Sequence, residues 1–468
     1  MLFIEPRFIY FFVIVFAGHW LLRGSTLRKL WLLAASYVFY AAWDWRFLSL
    51  IIASTLIDYT AGMLMSRDLS SRRRKACLVM SLVGNLGILG FFKYYNFFIE
   101  SAVGFTELIG LPLPARTLNL ILPVGISFYT FQTLSYTIDV YRSRLEPTRR
   151  LLDLALFVGF FPQLVAGPIV RATDFLPQLR TPRVFSSVRI RACLTLFLIG
   201  FIKKSCISDN LAPVVDAYFA DPAQYSAASA WIAVVFYAVQ IYCDFSGYSD
   251  MAIACANLLG YRLCINFNFP YFAVNVTEFW RRWHISLSSW LRDYLYIPLG
   301  GSRGSKWFTH RNLMLTMLLG GLWHGASWNF VIWGGLHGLA LIAHKEWCRL
   351  KASRPKLSGI PPIVGAMFTF YWVCVAWIFF RSAGFGTAVT VLKAFVLFQA
   401  DGVQHLGLDL MWVLPCLAAT HWVAYKSFFV DRLQRLADWA FAAGYGFVTT
   451  LAITLVPSNY HPFIYFQF

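Results

Sequence analysis

Long apolar stretches alternate with short polar ones along the whole chain. A helix crossing about 30 Å of hydrocarbon needs about 20 residues. Stretches of that order recur at 8–22, 30–54, 76–99, 151–170, 190–207, 227–243, 325–343, 362–381, 407–425 and 440–457. A break near Trp43-Asp44-Trp45 allows residues 46–66 a span of their own. The stretch 121–140 is apolar but carries Thr130, Gln132 and Asp139, and 384–399 is marginal. The pattern predicts about 10–12 transmembrane helices plus re-entrant pieces, an all-α polytopic integral membrane protein. Backbone at membrane depth that does not span must be buried in protein or line a wet cavity. The opening MLFIEPRFIYFFVIVFAGHWLL lacks a basic start and a small-x-small cleavage signal, so it reads as the first membrane helix.

The middle, about 240–325, differs. It is rich in Trp, Tyr, Arg, Asp, Asn and His and poor in clean spans. It reads as amphipathic helices at or dipping into the interface. Polar residues in such surroundings are functional candidates.

Composition closes off other classes. Hydrophobic residues make up 59% and charged residues 13% of the 468 positions, and mean hydropathy is +0.60. An ordinary soluble domain is nearer 25% charged. The net charge of +18 comes from short basic runs between apolar stretches: Arg23–Lys29, Arg72–Lys75, Arg142–Arg150, Arg180–Arg191 and Lys345–Lys356. Such runs mark cytoplasmic loops and contact with anionic lipid, not nucleic-acid binding. The nine cysteines contain no CxxC and fall mostly in apolar stretches, which favours packed, reduced thiols. No linker, soluble domain or internal repeat is visible.

Four segments carry candidate chemistry. In FWRRWHISLSSWLRDYLYIPLGGSRGSK, residues 279–306, helical spacing puts Trp280, His284, Leu287 and Leu291 on one stripe and Arg281, Ser288 and Arg292 on another. An aromatic-anchored interfacial helix accounts for this without function, and His284 is then a hydrogen-bonded packing residue; its other reading is catalytic. In MLLGGLWHGASWNFVIWGG, residues 317–335, His324 sits among Gly320, Gly321 and Gly325, with Trp323 and Trp328 as pocket walls. A neutral imidazole there suits proton removal from a hydroxyl; the bland reading is a packed histidine at a helix break.

In YCDFSGYSDMAI, residues 242–253, Asp244 and Asp250 are acids in an apolar setting, and each needs a partner or water. Arg281 and Arg282 are possible partners, so Asp244 is either an ion-pair member or a substrate-facing group. Asn266 and Asn268 follow as hydrogen-bonders to backbone or ligand. In FFPQLVAGPIVR, residues 160–171, Pro162, Gly167 and Pro168 break helices and Gln163 is polar at membrane depth, as in a cavity wall. There is no GxxxxGK[ST] and no histidine followed by Asp five positions later. Gly300 to Gly304 matches GxSxG but lies in a basic interfacial loop, where a nucleophile elbow does not form.

Taken together, WRRWHISLSSWLRDYLYIPLGGSR, LWHGASWNFVIWGGLHG, YCDFSGYSDMAIACANLLG and FFPQLVAGPIVR resemble the membrane-bound O-acyltransferase family (MBOAT), in its bacterial alginate O-acetyltransferase branch. Residues 29–62 and the terminal HPFIYFQF, 461–468, resemble that branch too. The resemblance implies one membrane domain over 1–468, with N-terminal helices to 120, a catalytic core over 121–345 and C-terminal helices after it, arranged around a funnel. It implies transfer of an acyl group from a thioester to a hydroxyl, with His324 matching the family's essential histidine and His284 its second polar position. Asp244, Arg281, Arg282, Asn266, Trp323 and Gln163 are then candidates for lining the substrate path. It further implies acetyl-CoA as donor substrate rather than a bound cofactor. The expected partners are an exported polysaccharide and a periplasmic SGNH-type protein, and the expected location is the bacterial inner membrane. Transfer of another acyl group, such as D-alanine from a carrier protein, is a sibling reading. A transporter of polysaccharide or lipid-linked sugar, and a scaffold in an export complex, are readings from other classes.

Overall fold

A computed structural model describes all residues except 68, 69, 112, 113, 115, 166, 355–358, 427–434 and 458–468. The terminal HPFIYFQF motif therefore lies outside the described residues. The chain divides into two compact units: Met1–Ile190 with Ala252–Cys264, and Arg191–Met251 with Ile265–Phe468. Among the described residues the structure is helical, with one isolated β-bridge, Tyr225 to Gln404.

The first unit holds α1 (Pro6–Leu21), α2 (Ser25–Asp44), α3 (Leu48–Met65), α4 (Ser71–Leu89), α5 (Tyr95–Leu108), α6 (Ile126–Tyr141), α7 (Leu151–Gly159), α8 (Phe161–Leu164) and α9 (Ala172–Arg180). The expected span 30–54 is broken at Asp44, whose carboxylate accepts from the Arg46 amide at 3.0 Å and caps a short turn. The stretch 151–170 is not a span. A nine-residue helix stops at Gly159, and Pro162 sits at the start of the four-residue helix that follows. Helix α6 is buried along almost its whole length, which explains its polar residues: they face protein, not lipid. Ser81 Oγ reaches Asp58 Oδ1 at 2.5 Å and Thr137 Oγ1 at 2.9 Å, and Asn85 Nδ2 donates to Asp58 at 2.9 Å, tying α3, α4 and α6. Lys29 Nζ on α2 meets Asp153 Oδ1 on α7 at 2.6 Å with both side chains buried.

The second unit holds α10 (Ile190–Phe201), a wide π-helical segment (Ile202–Ser208), α11 (Asp209–Ala220), α12 (Ala227–Leu258), α13 (Val276–Arg282), α14 (Ile285–Leu291), α15 (Lys306–His324), α16 (Trp328–Ser353), α17 (Pro362–Arg381), α18 (Phe385–Val396), α19 (Val413–Tyr425) and α20 (Asp438–Thr454). Residues of α12 beyond Met251 belong to the first unit. At 32 residues, α12 is about 48 Å long, more than a bilayer core needs. The middle of the chain is exposed at Arg292, Ile297 and Trp307, and it also supplies much of the buried α12 and the 19-residue α15. Tyr237 of α12 is fully buried in one core with Trp283, Trp333 and Trp377. A Cβ on Gly321 would collide with the Phe330 carbonyl, and one on Gly334 with the Met317 carbonyl, so α15 and α16 pack backbone against backbone.

Among the described residues, four helical stretches are long and apolar enough to cross a membrane: Ser25–Met65, Ser71–Leu108, Ala227–Leu258 and Pro362–Arg381. Outward faces carry large apolar side chains, such as Val13 and Ile14 on α1, Val83 on α4, Phe368 on α17 and Phe447 on α20. In water such a surface is unfavourable; against lipid tails it costs nothing. The protein is a multi-pass membrane protein. All nine cysteines are free thiols.

Candidate active site

The expected helix over 279–306 does not exist as one element. α13 ends at Arg282, Trp283 is extended, and His284 adopts a left-handed conformation with φ +43° before α14 begins. A non-glycine residue there is strained and persists only when its surroundings hold it. The loop 266–268 does so from both sides: Asn268 N donates to Arg282 O at 2.9 Å, and Ile285 N to Asn266 O at 2.8 Å. His284 is therefore not on a surface stripe with Trp280 and Leu287. It is fully buried.

Asn266 fixes the imidazole. Its Oδ1 lies 3.1 Å from His284 Nδ1 and accepts from Ser286 Oγ at 2.9 Å, while its Nδ2 donates to Ser249 Oγ at 3.2 Å. An amide oxygen only accepts, so Nδ1 carries the proton and the lone pair of a neutral ring sits on Nε2. The Phe245 ring meets the imidazole edge-on at 4.7 Å.

His324 is the last residue of α15, where the chain turns through extended Gly325 into α16, whose first turn is capped by Ser327. It is 3% exposed. Trp323, Trp333 and Phe380 surround it at ring distances of 5.0, 4.9 and 5.3 Å. The ring centres of His284 and His324 are 6.5 Å apart, and Trp323 lies 6.1 Å from His284. A third buried imidazole, His337, packs across Trp333 from His324 at 4.9 Å. The two imidazoles thus lie side by side within one aromatic enclosure. Both rings are shielded from solvent.

The structure thus brings together His284, His324, Asn266 and Trp323. Trp328, expected as a wall, is 59% exposed, and Trp333 and Phe380 take that place. Asp244 is buried but bonded to Lys204 at 2.6 Å, and Asp250 to Lys203 at 2.7 Å; the arginines are not their partners. Arg282 pairs with Glu278 at 2.7 Å, and Arg281 is exposed at the end of α13. Asn268 is exposed. Gln163 lies in the first unit, where its Nε2 donates to Phe157 O at 2.5 Å. In the GxSxG loop, Ser302 meets Tyr296 Oη at 2.8 Å and Lys345 Nζ at 2.9 Å, with no histidine beside it. Phe245, Ser249 and Ser286 were not singled out by sequence. Only the i, i+4 spacing of the first two signals a shared helix face.

The membrane-bound O-acyltransferase family profile matches residues 39–386. The chain belongs to this family. Its relatives include the probable alginate O-acetylase AlgI of Pseudomonas aeruginosa, 42% identical over 94% of this chain and 85% of that protein. The peptidoglycan O-acetyltransferase of Helicobacter pylori is 38% identical over 87% of this chain and 82% of its own length. The teichoic acid D-alanyltransferase of Streptococcus thermophilus is 27% identical over 55% of this chain and 68% of its own. As a membrane-bound O-acyltransferase, the protein transfers acyl groups from a donor to a hydroxyl. Among the described residues, no three His, Cys, Asp or Glu side chains converge as metal ligands would.

Proposed function

We propose that the protein moves acetyl groups from cytosolic acetyl-CoA into O-acetylation of an exported, alginate-like polysaccharide, with His324 as general base. The observation that carries this reading is the pair of buried imidazoles 6.5 Å apart between aromatic walls. His324 takes the proton of the attacking hydroxyl. The hydroxyl oxygen bonds to the thioester carbonyl carbon, the C–S bond breaks, and the proton passes to the leaving thiolate. His284, neutral and held by Asn266 through Nδ1–H, presents the lone pair of Nε2 and orients a substrate by accepting a hydrogen bond. The alginate and peptidoglycan O-acetyltransferases, similar over most of both chains, favour acetyl and a cell-envelope polymer over D-alanine. The same reading places the protein in the bacterial inner membrane and gives it a periplasmic SGNH-type partner that receives the acetyl group.

The test is release of free coenzyme A and transfer of labelled acetyl by purified protein in nanodiscs. Loss of the general base costs about 10²- to 10⁴-fold, so His324→Ala should lose turnover while remaining folded. Turnover in His324→Ala equal to wild type refutes the assignment.

A further inference from the structure

Two consecutive lysines on the π-helical segment Ile202–Ser208 each hold a carboxylate of α12. Lys203 Nζ meets Asp250 Oδ2 at 2.7 Å, and Lys204 Nζ meets Asp244 Oδ1 at 2.6 Å and Asp209 Oδ1 at 2.7 Å. Lys204, Asp209 and Asp244 are each at most 2% exposed. The π-helical turn is wider than an α-turn and brings successive side chains closer to one face; such bulges recur at functional sites. The two bridged carboxylates bracket the stretch of α12 that faces His284. Phe245, next to Asp244, packs its ring on the imidazole. Ser249, next to Asp250, accepts from Asn266, which holds His284 Nδ1. Between them, a Cβ on Gly247 would lie 2.6 Å from Gly200 O and 2.9 Å from Lys204 N, so the two backbones touch there. Lys203 also stands 5.6 Å over the Tyr242 ring, which meets Phe267 at 6.0 Å, and Phe267 lies 6.4 Å from His284.

We infer that Lys203 and Lys204 are positioning residues: a two-point ionic clamp that fixes the axial register of α12 and, through Phe245 and Ser249, the orientation of His284. A sliding helix would move both supports of the imidazole together. Fold stability alone does not require charge here, because a buried ion pair replaced by apolar residues of similar volume is often no less stable. The inference rests on the proposed role of His284, so the test reads its ring directly as well as turnover.

The full chain in nanodiscs is compared with Lys203→Met/Asp250→Leu, and with Lys204→Met/Asp209→Asn/Asp244→Asn. Thermal unfolding, kcat and KM for coenzyme A release, and ¹⁵N-histidine NMR assigned with His284→Gln are recorded. The expected result is a folded variant whose His284 signals move and whose kcat falls on the order of 10- to 100-fold. KM for acetyl-CoA should stay within about threefold, since misplacement rather than donor binding is affected. A folded variant with unmoved His284 signals and wild-type kcat overturns the clamp. Failure of both variants to fold also overturns it, leaving the lysines as braces of the fold. If wild type itself does not turn over acetyl-CoA, the acetyl-donor reading fails, and the His284 signals alone decide the clamp.

Discussion

At the scale of single residues, His284 depends on groups far from it in sequence. Its left-handed backbone is held by loop 266–268, and its ring by Asn266, which is held in turn by Ser249 and Ser286. Asn266→Ala removes that hydrogen-bonding centre and leaves buried partners unsatisfied. Loss of orientation alone costs up to about 100-fold in rate. Asn266→Ala should therefore lower kcat for acetyl transfer by a factor in that range, measured as coenzyme A release. A loss confined to KM would place Asn266 in donor binding instead. His284→Gly relieves the backbone strain but leaves a buried cavity and Asn266 without its partner, so it should lower the thermal midpoint as well as lose turnover.

Elements are fixed by close approach and by buried charge. The facing glycines Gly321 and Gly334 let α15 and α16 lie near enough for His324, at the end of one, to rest on Trp333 in the other. Inserting side-chain atoms into such a contact costs about 1–3 kcal/mol and shifts backbone. Gly334→Val should lower the thermal midpoint and reduce activity together, whereas Gly335→Ala, which meets only a leucine side chain at 3.5 Å, should change neither measurably. In the first unit, Lys29→Met leaves Asp153 buried without its ammonium. Breaking one side of a buried pair costs about 3–5 kcal/mol. The double variant Lys29→Met/Asp153→Leu should recover most of that loss in detergent unfolding.

For the whole molecule the relevant quantities are charge and solvent. An excess of 40 Lys and Arg over 22 Asp and Glu is concentrated in short runs, some between helices, as at Arg142–Arg150, and some at helix ends, as Arg72–Lys75 at the start of α4 and Lys345–Lys351 near the end of α16. If those segments attract a polyanionic coenzyme, the attraction is long-ranged and screened within about 8 Å at physiological ionic strength. Raising sodium chloride should then raise KM for acetyl-CoA several-fold and leave kcat nearly constant; a salt-independent KM would remove the electrostatic contribution. The outward apolar side chains fit the molecule to lipid, and the polar side chains of α6 and α12 face inward.

Helical class, membrane residence and the two histidine motifs were legible in sequence, because burying backbone in hydrocarbon forces long apolar helices and leaves embedded polar residues conspicuous. The break at Asp44, the extent of α17 at 362–381 and the reduced cysteines follow from local signals as well. Other features were decided only by tertiary structure. Periodicity put His284 on a helical stripe, whereas long-range hydrogen bonds from 266–268 stop that helix and turn the residue inward. Trp328 and Trp333 look alike in a motif, but helix packing exposes one and buries the other. Asp244 and Asp250 found lysines earlier in the chain, not the arginines that follow at comparable separation, because an ion pair forms between groups that folding brings within reach, whatever their separation in sequence.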